Sequence, residues 1–300
     1  MSPSDLRTKL QGVIGFPVTP FKADLSLDLD GLRKNLRAML QHPPAAIVAA
    51  GGTGELYSLS PAEHLAVVRT TVEEVGGAVP VIAGVGFNVP IATGLAQQAA
   101  DAGASGILAF PPYYPGAEDD GLVSYYQTIG SATGLGLLVY SRDWFHPSAQ
   151  LVERLAGIPS LVAWKDGQGD IRRLQILRSH LGDRLHWIGG AGDDLVPAYY
   201  GIGIRAFTSS VANVSANIAW QLHETASKGD AAALATLMST YVVPLYVLRA
   251  KRRGYEVSVM KSLMDLLGLA GGPVRPPLAN LRAEEVDILR AGLAVWRAAI

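Results

Sequence analysis

Short apolar runs of strand type recur along the first 225 or so residues, each followed by a longer segment whose apolar positions fall three and four apart. A run apolar throughout is buried on both faces, as a parallel strand is when helices cover its sheet. The runs fall at 13–16, 46–49, 79–83, 106–110, 135–140, 161–165, 185–188 and 204–209. Between them the spacing predicts helices from Asp28 to Gln41, from Ser60 to about Val75, and from starts near Val89, Glu118, Ser148, Asp170, Asp193 and Asn213. The Ser60 helix carries its own start signal: a capping serine, Pro61 in the first turn and Glu63 to close a capping box.

Eight strand–helix units in this length are the count of a closed barrel, and an open doubly wound sheet would seldom need so many even repeats. The predicted fold class is α/β, a (β/α)8 TIM barrel over residues 1–228. Residues 229–300 keep helical spacing (Leu234, Leu237, Met238 and Tyr241, then Val286, Leu289, Leu293 and Trp296) without strand alternation. Gly271-Gly272-Pro273 and Pro276-Pro277 interrupt them, so the region reads as a C-terminal helical appendage.

Composition narrows the chemistry. With 49% hydrophobic residues among 300 the chain can build a large core, which excludes a disordered protein. The 25 Lys and Arg balance 26 Asp and Glu, and no basic block exceeds Lys251-Arg252-Arg253. A nucleic-acid partner is not expected, because duplex binding needs a cationic surplus. No cysteine is present, which removes disulfides, thiolate metal sites and a thiol nucleophile and leaves oxygen, nitrogen and lysine chemistry. The polar start Met1–Arg7 lacks an export-type apolar stretch, and no uninterrupted apolar run nears the roughly 20 residues a bilayer requires. The expected setting is the cytoplasm, with no membrane partner.

In such barrels the chemistry collects where strands end, because the following loops converge there. Lys165 closes the apolar run 161–164. It reads either as a solvated lysine or as an amine whose burial lowers its pKa until it attacks a ketone. Tyr140 ends the neighbouring strand and is either a proton shuttle or a rim aromatic. Gly51-Gly52-Thr53-Gly54-Glu55 is short on side chains, so its N–H groups can converge on a carboxylate; it lacks the features of a nucleotide loop. Glu55 reads as structural, ahead of the following helix, with a general-base role as the lesser reading, and Ser209 as a substrate contact or a plain rim serine. The six histidines show no metal-ligand spacing, so no metal is expected, and Asp193-Asp194 reads as a helix-start pair with a binding role left open.

Pro17-Val18-Thr19-Pro20-Phe21, the Gly51–Glu55 loop, Pro111-Pro112-Tyr113-Tyr114, Tyr140 and Lys165 together resemble the dihydrodipicolinate synthase/N-acetylneuraminate lyase family of Schiff-base lyases. The resemblance spans essentially the whole chain, including Val274-Arg275-Pro276-Pro277-Leu278. It implies a barrel assembled as a homo-oligomer, commonly a tetramer. It also implies that Lys165 forms an imine, Tyr140 relays protons, Gly51, Gly52 and Thr53 hold the carboxylate of a 2-oxo acid, and Tyr114 reaches a neighbouring subunit's site. No organic cofactor is implied, since the imine serves as the electron sink. The stretch from Ala163 to Asp170 and the glycine loop look most like the members that dehydrate and decarboxylate a keto sugar diacid, 5-dehydro-4-deoxy-D-glucarate. Two departures from the synthase point the same way: Gly52 stands where it has the first of two threonines, and Phe145 approximates the position of its carboxylate-binding arginine. The substrate's C1 carboxylate is therefore expected in a region poor in cations. The alternatives are a retro-aldol lyase that releases pyruvate from a 2-keto-3-deoxy sugar acid, the synthase itself, and a non-catalytic sugar-acid binding barrel.

Overall fold

Residues 1–299 are described in a computed structural model, and among them eight parallel strands close into one barrel in chain order. They are β1 (Gly12–Gly15), β2 (Ala46–Ala49), β3 (Val81–Val85), β4 (Gly106–Ala109), β5 (Gly136–Ser141), β6 (Leu161–Asp166), β7 (His186–Gly189) and β8 (Ala206–Ser209). The barrel expectation is met. The strand edges agree with the sequence reading to within two residues; β3 starts late because Pro80 has no N–H for the ladder.

The helices begin with α1 (Pro3–Lys9), which precedes the first strand. The outer layer then runs α2 (Leu29–Met39), α3 (Pro61–Val75), α4 (Val89–Asp101), α5 (Asp119–Ser131), α6 (Ala149–Leu155), α7 (Ile171–Leu181), α8 (Val196–Gly201) and α9 (Ala216–Lys228). Their starts follow from side-chain caps: Asp28, Ser60, Asn88, Ser148, Asp170 and Ser215 each accept an orphan first-turn N–H. The α3 capping box forms as the sequence predicts.

The N-terminal helix was not foreseen. Ser2, Pro3 and Asp5 give α1 the same capping box, and it drives Leu6 and Leu10, both fully buried, into the cluster that fills the barrel interior with Ile14, Val48 and Ile82. Space for Leu6 exists because Gly106 and Gly136, at the starts of β4 and β5, carry no Cβ; one built there would lie 2.5 Å and 2.9 Å from its Cδ2. One end of the barrel is thereby sealed with hydrocarbon.

The chain after α9 packs over the opposite end. Helices α10 (Ala231–Leu237) and α11 (Val243–Arg249) form one rod, joined through a π-turn at Met238–Val242 just before Pro244, which has no N–H to return to the preceding turn. By length and composition alone this rod is long and apolar enough to cross a bilayer. Here Leu237, Val242, Leu245 and Leu248 are instead buried in the main core, and the Tyr246 hydroxyl binds the loop after β7. Helices α12 (Tyr255–Leu266), α13 (Ala283–Ala291) and α14 (Leu293–Arg297) complete the fold.

Candidate active site

One irregularity aims the key side chain. Strand β5 alternates strictly, Leu137 and Val139 outward, Leu138 and Tyr140 inward. Between Leu137/Leu161 and Leu138/Ala163 the β5–β6 register slips by one residue. At that bulge Val162 and Ala163 both face the interior, so Trp164 turns outward and Lys165 inward, beside Tyr140. Were the same five residues to alternate strictly with no bulge, Lys165 would share the face of Leu161 and lie among the helices.

Lys165 is buried, at 3% exposure, on the wall of a cavity of about 580 Å³ at the mouth. Its Nζ donates to the Gly190 carbonyl at 2.8 Å and lies 3.3 Å from the Tyr140 ring centroid. Gly190 must be glycine for this: a Cβ there would come within 2.7 Å of Nζ. Burial pushes the Lys165 pKa well below that of an ordinary lysine, the Arg142 guanidinium pushes the same way, and Asp166 opposes both. Asp166 faces the helices, accepting from the Tyr199 hydroxyl at 2.8 Å and the Gln168 and Gly169 amides at 3.1 Å. Burial also raises the Tyr140 phenol's pKa, so it stays protonated at neutral pH.

The Gly51–Glu55 loop borders the same cavity through Gly52 and Thr53. Ala50 and Glu55 at its ends are left-handed, with φ of 49° and 55°, a conformation costly for residues with a Cβ. The loop is held from outside: the Thr19 hydroxyl donates to the Gly54 carbonyl at 2.7 Å, and Lys261 of α12 lies 2.6 Å from the Glu55 carboxylate. Both members of that ion pair are buried, and Glu55 also accepts the Arg275 amide at 3.1 Å. The Gly52 and Thr53 amides donate to no protein acceptor among the described residues.

Ser209 lines the cavity, but its hydroxyl is occupied: it donates to Asp193 and accepts the Ala212 amide at 3.0 Å. Asp193 is more than a helix-start residue. Fully buried, its carboxylate also accepts from the Ser210 amide and hydroxyl at 3.1 Å and from the Tyr246 hydroxyl at 3.1 Å, tying α11 to the barrel mouth. Tyr114 lies outside the cavity; it and Tyr113 stand in solvent after β4, 71% and 91% exposed.

Phe145 does not take a ligand-facing position. It is 1% exposed and packs among the rings of Tyr126, Trp144 and Trp164, away from the cavity. The C1 carboxylate was expected in a region poor in cations, yet Arg142 and Arg249 both line the cavity that would receive it. Arg142 follows the end of β5 in a stretch with no local signal for its direction, and Tyr246, Arg249 and Glu256 come from C-terminal helices whose path over the mouth no local pattern encodes. No group of three or more metal-ligating side chains converges among the described residues.

A closed parallel barrel with a buried lysine and a glycine loop at its mouth defines a lyase-type barrel. The model of the dihydrodipicolinate synthetase family matches residues 9–295, so the chain belongs to that family and is an enzyme. It is 38% identical over 295 residues to a probable 5-dehydro-4-deoxyglucarate dehydratase of Bradyrhizobium diazoefficiens, covering 97% of this chain and 94% of that one. It is 36% identical to a protein of the same description from Rhizobium meliloti, covering 97% of each. Among solved structures, dihydrodipicolinate synthase from Bacillus clausii superposes with a TM-score of 0.91 at 29% identity, over 97% of this chain and 99% of that one.

Proposed function

We propose that this enzyme dehydrates and decarboxylates 5-dehydro-4-deoxy-D-glucarate to 2,5-dioxopentanoate, CO₂ and water through an imine on Lys165. The observation that carries the reading is the buried amine at the barrel mouth, its pKa pushed well below that of an ordinary lysine by burial and its Nζ held by a carbonyl rather than a carboxylate. The names of the relatives at 36–38% identity support the choice of substrate.

The Lys165 amine adds to the C5 ketone, and loss of water leaves a protonated imine. That iminium draws electrons and acidifies C4. Removal of a C4 proton gives an enamine, which expels the C3 hydroxyl as water once protonated. The product is an iminium conjugated from C5 to C3. The C1–C2 bond then breaks, CO₂ departs, and its electron pair runs through the new double bond to nitrogen. Protonation, tautomerisation of the C2 enol to an aldehyde and hydrolysis release the product and the amine. Tyr140, protonated and packed against Nζ, relays protons at the carbinolamine. The unpartnered amides of Gly52 and Thr53 take the C6 carboxylate, next to the ketone. Ser209 serves this site by fixing Asp193 as well as by facing the cavity. Exposed Tyr113 and Tyr114 support a homo-oligomer in which this loop meets a neighbouring subunit.

Borohydride reduction in the presence of the diacid tests the reading: the protein gains the mass of the reduced adduct on the peptide containing Lys165, and turnover without borohydride releases CO₂. Pyruvate release without CO₂ would replace the dehydratase by a retro-aldol lyase, and an unchanged mass would leave a binding barrel.

A further inference from the structure

Arg142 offers what a diacid needs and a monoacid does not. Its Nε is engaged by Asp143 at 2.7 Å, yet its two terminal nitrogens donate to no protein acceptor among the described residues. The guanidinium is steered by two ring faces, with Cζ 5.4 Å from the Tyr140 centroid and 5.7 Å from that of Phe110. The other cavity guanidinium is tied to the protein by one nitrogen: Arg249 stacks 4.2 Å from the Tyr246 ring centroid and donates through Nη1 to the Ser210 hydroxyl at 2.9 Å, while its buried Nε has no partner among the described residues.

Space explains why Arg142 reaches inward. A Cβ on Gly52 would lie 3.2 Å from its Nη1, tighter than ordinary contact, so the missing side chain is the room the guanidinium uses. Gly52 has no left-handed φ that would demand glycine for backbone reasons. Lys165 Nζ and the Arg142 Cζ lie 3.3 Å and 5.4 Å from the same Tyr140 ring centroid, so both face one cavity and a ligand bonded to the amine can extend toward the cation. In the diacid, C1 lies four bonds beyond the imine carbon, and a forked pair of N–H donors fits a carboxylate.

Resting on the dehydratase reading, we propose that Arg142 binds the distal C1 carboxylate and that Gly52 is the vacancy admitting it, the two together selecting 2-oxo diacids over 2-oxo monoacids. Before decarboxylation the guanidinium anchors the far end of the chain, leaving the C6 carboxylate to the Gly52 and Thr53 amides. As CO₂ leaves, the ionic contact is given up, so Arg142 contributes to binding and selection more than to the carbon–carbon cleavage.

The test is borohydride trapping on the full-length enzyme, comparing the diacid with pyruvate, which lacks any distal group, at a common pH. Because both traps use one amine, the ratio of their half-saturating concentrations cancels any change in that amine. In Arg142→Gln the preference for the diacid should fall about ten- to hundredfold, the range for losing a charge-assisted hydrogen bond. Arg142→Lys should recover part of it. Gly52→Thr should reproduce the loss with the arginine still present. Equal weakening of both traps in Arg142→Gln overturns the assignment, as does a Gly52→Thr enzyme with full diacid preference. A wild-type enzyme that traps pyruvate but not the diacid overturns the dehydratase reading instead.

Discussion

The two ends of this barrel are built from the same strands and solve opposite problems. At the sealed end α1 inserts Leu6 and Leu10 into an all-hydrocarbon plug, with the β4 and β5 glycines recessed to receive it. At the open end the same inward positions carry Tyr140 and Lys165, and loops and C-terminal helices surround them with charge. Stability at the first end comes from non-directional burial. At the second, the buried polar groups depend on directional partners, and the same pairs that hold the loops shape the site.

Replacing Lys165 by Met should break the contrast most severely. Turnover and borohydride trapping should fall on the order of 10⁴-fold or more, while the melting temperature rises because an amine no longer loses its hydration. The pH dependence follows from the same burial. Between its depressed folded pKa and the ordinary lysine value, Lys165 is deprotonated when folded and protonated when unfolded, so stability rises with pH across that window. Imine formation should rise with pH through the lower limit of the window and level off before the upper one. Chemical denaturation at several pH values should show this slope in the wild type and lose it in Lys165→Met.

Lys261→Met strands the buried Glu55 carboxylate and should cost about 3–5 kcal/mol, with a raised KM as the 51–55 loop loosens. Adding Glu55→Gln should restore much of the stability; a double variant no better than the single would mean the pair does not couple the loop to α12. At the other end, Leu6→Ala should cost about 3 kcal/mol in urea titration and leave KM unchanged at temperatures where the protein stays folded. Removing only the α1 cap, Ser2→Ala, should cost about 1 kcal/mol. A change in KM from either plug variant would mean that the two ends are mechanically linked.

The sealed end also marks where the sequence was read least well. Ser2-Pro3-Ser4-Asp5 carries the same start signal as Ser60-Pro61-Ala62-Glu63, but the helix that follows is only seven residues long and mostly polar, with Leu6 its one buried residue. Strand positions and most helix caps were legible because period and cap chemistry are local. Arg142, Asp193 and Tyr246 were not assigned because their surroundings come from distant parts of the chain. The β6 bulge leaves no local trace either: Leu161–Trp164 is apolar on both sides of it, so nothing in the run says which residue changes face.

That single extra residue makes the nucleophile's orientation a matter of counting. Deleting one residue from 161–164 would remove the bulge yet leave the amine on the inner face by strict alternation from Leu161, whereas ironing the bulge out at full length would send it into the helical layer, where no ketone arrives. Exchanging Val162 for another aliphatic would do nothing of the kind. Tolerance of aliphatic substitution and of a single deletion at the bulge, combined with sensitivity to any change that straightens the full-length strand, is the fingerprint it should leave in any large collection of variants.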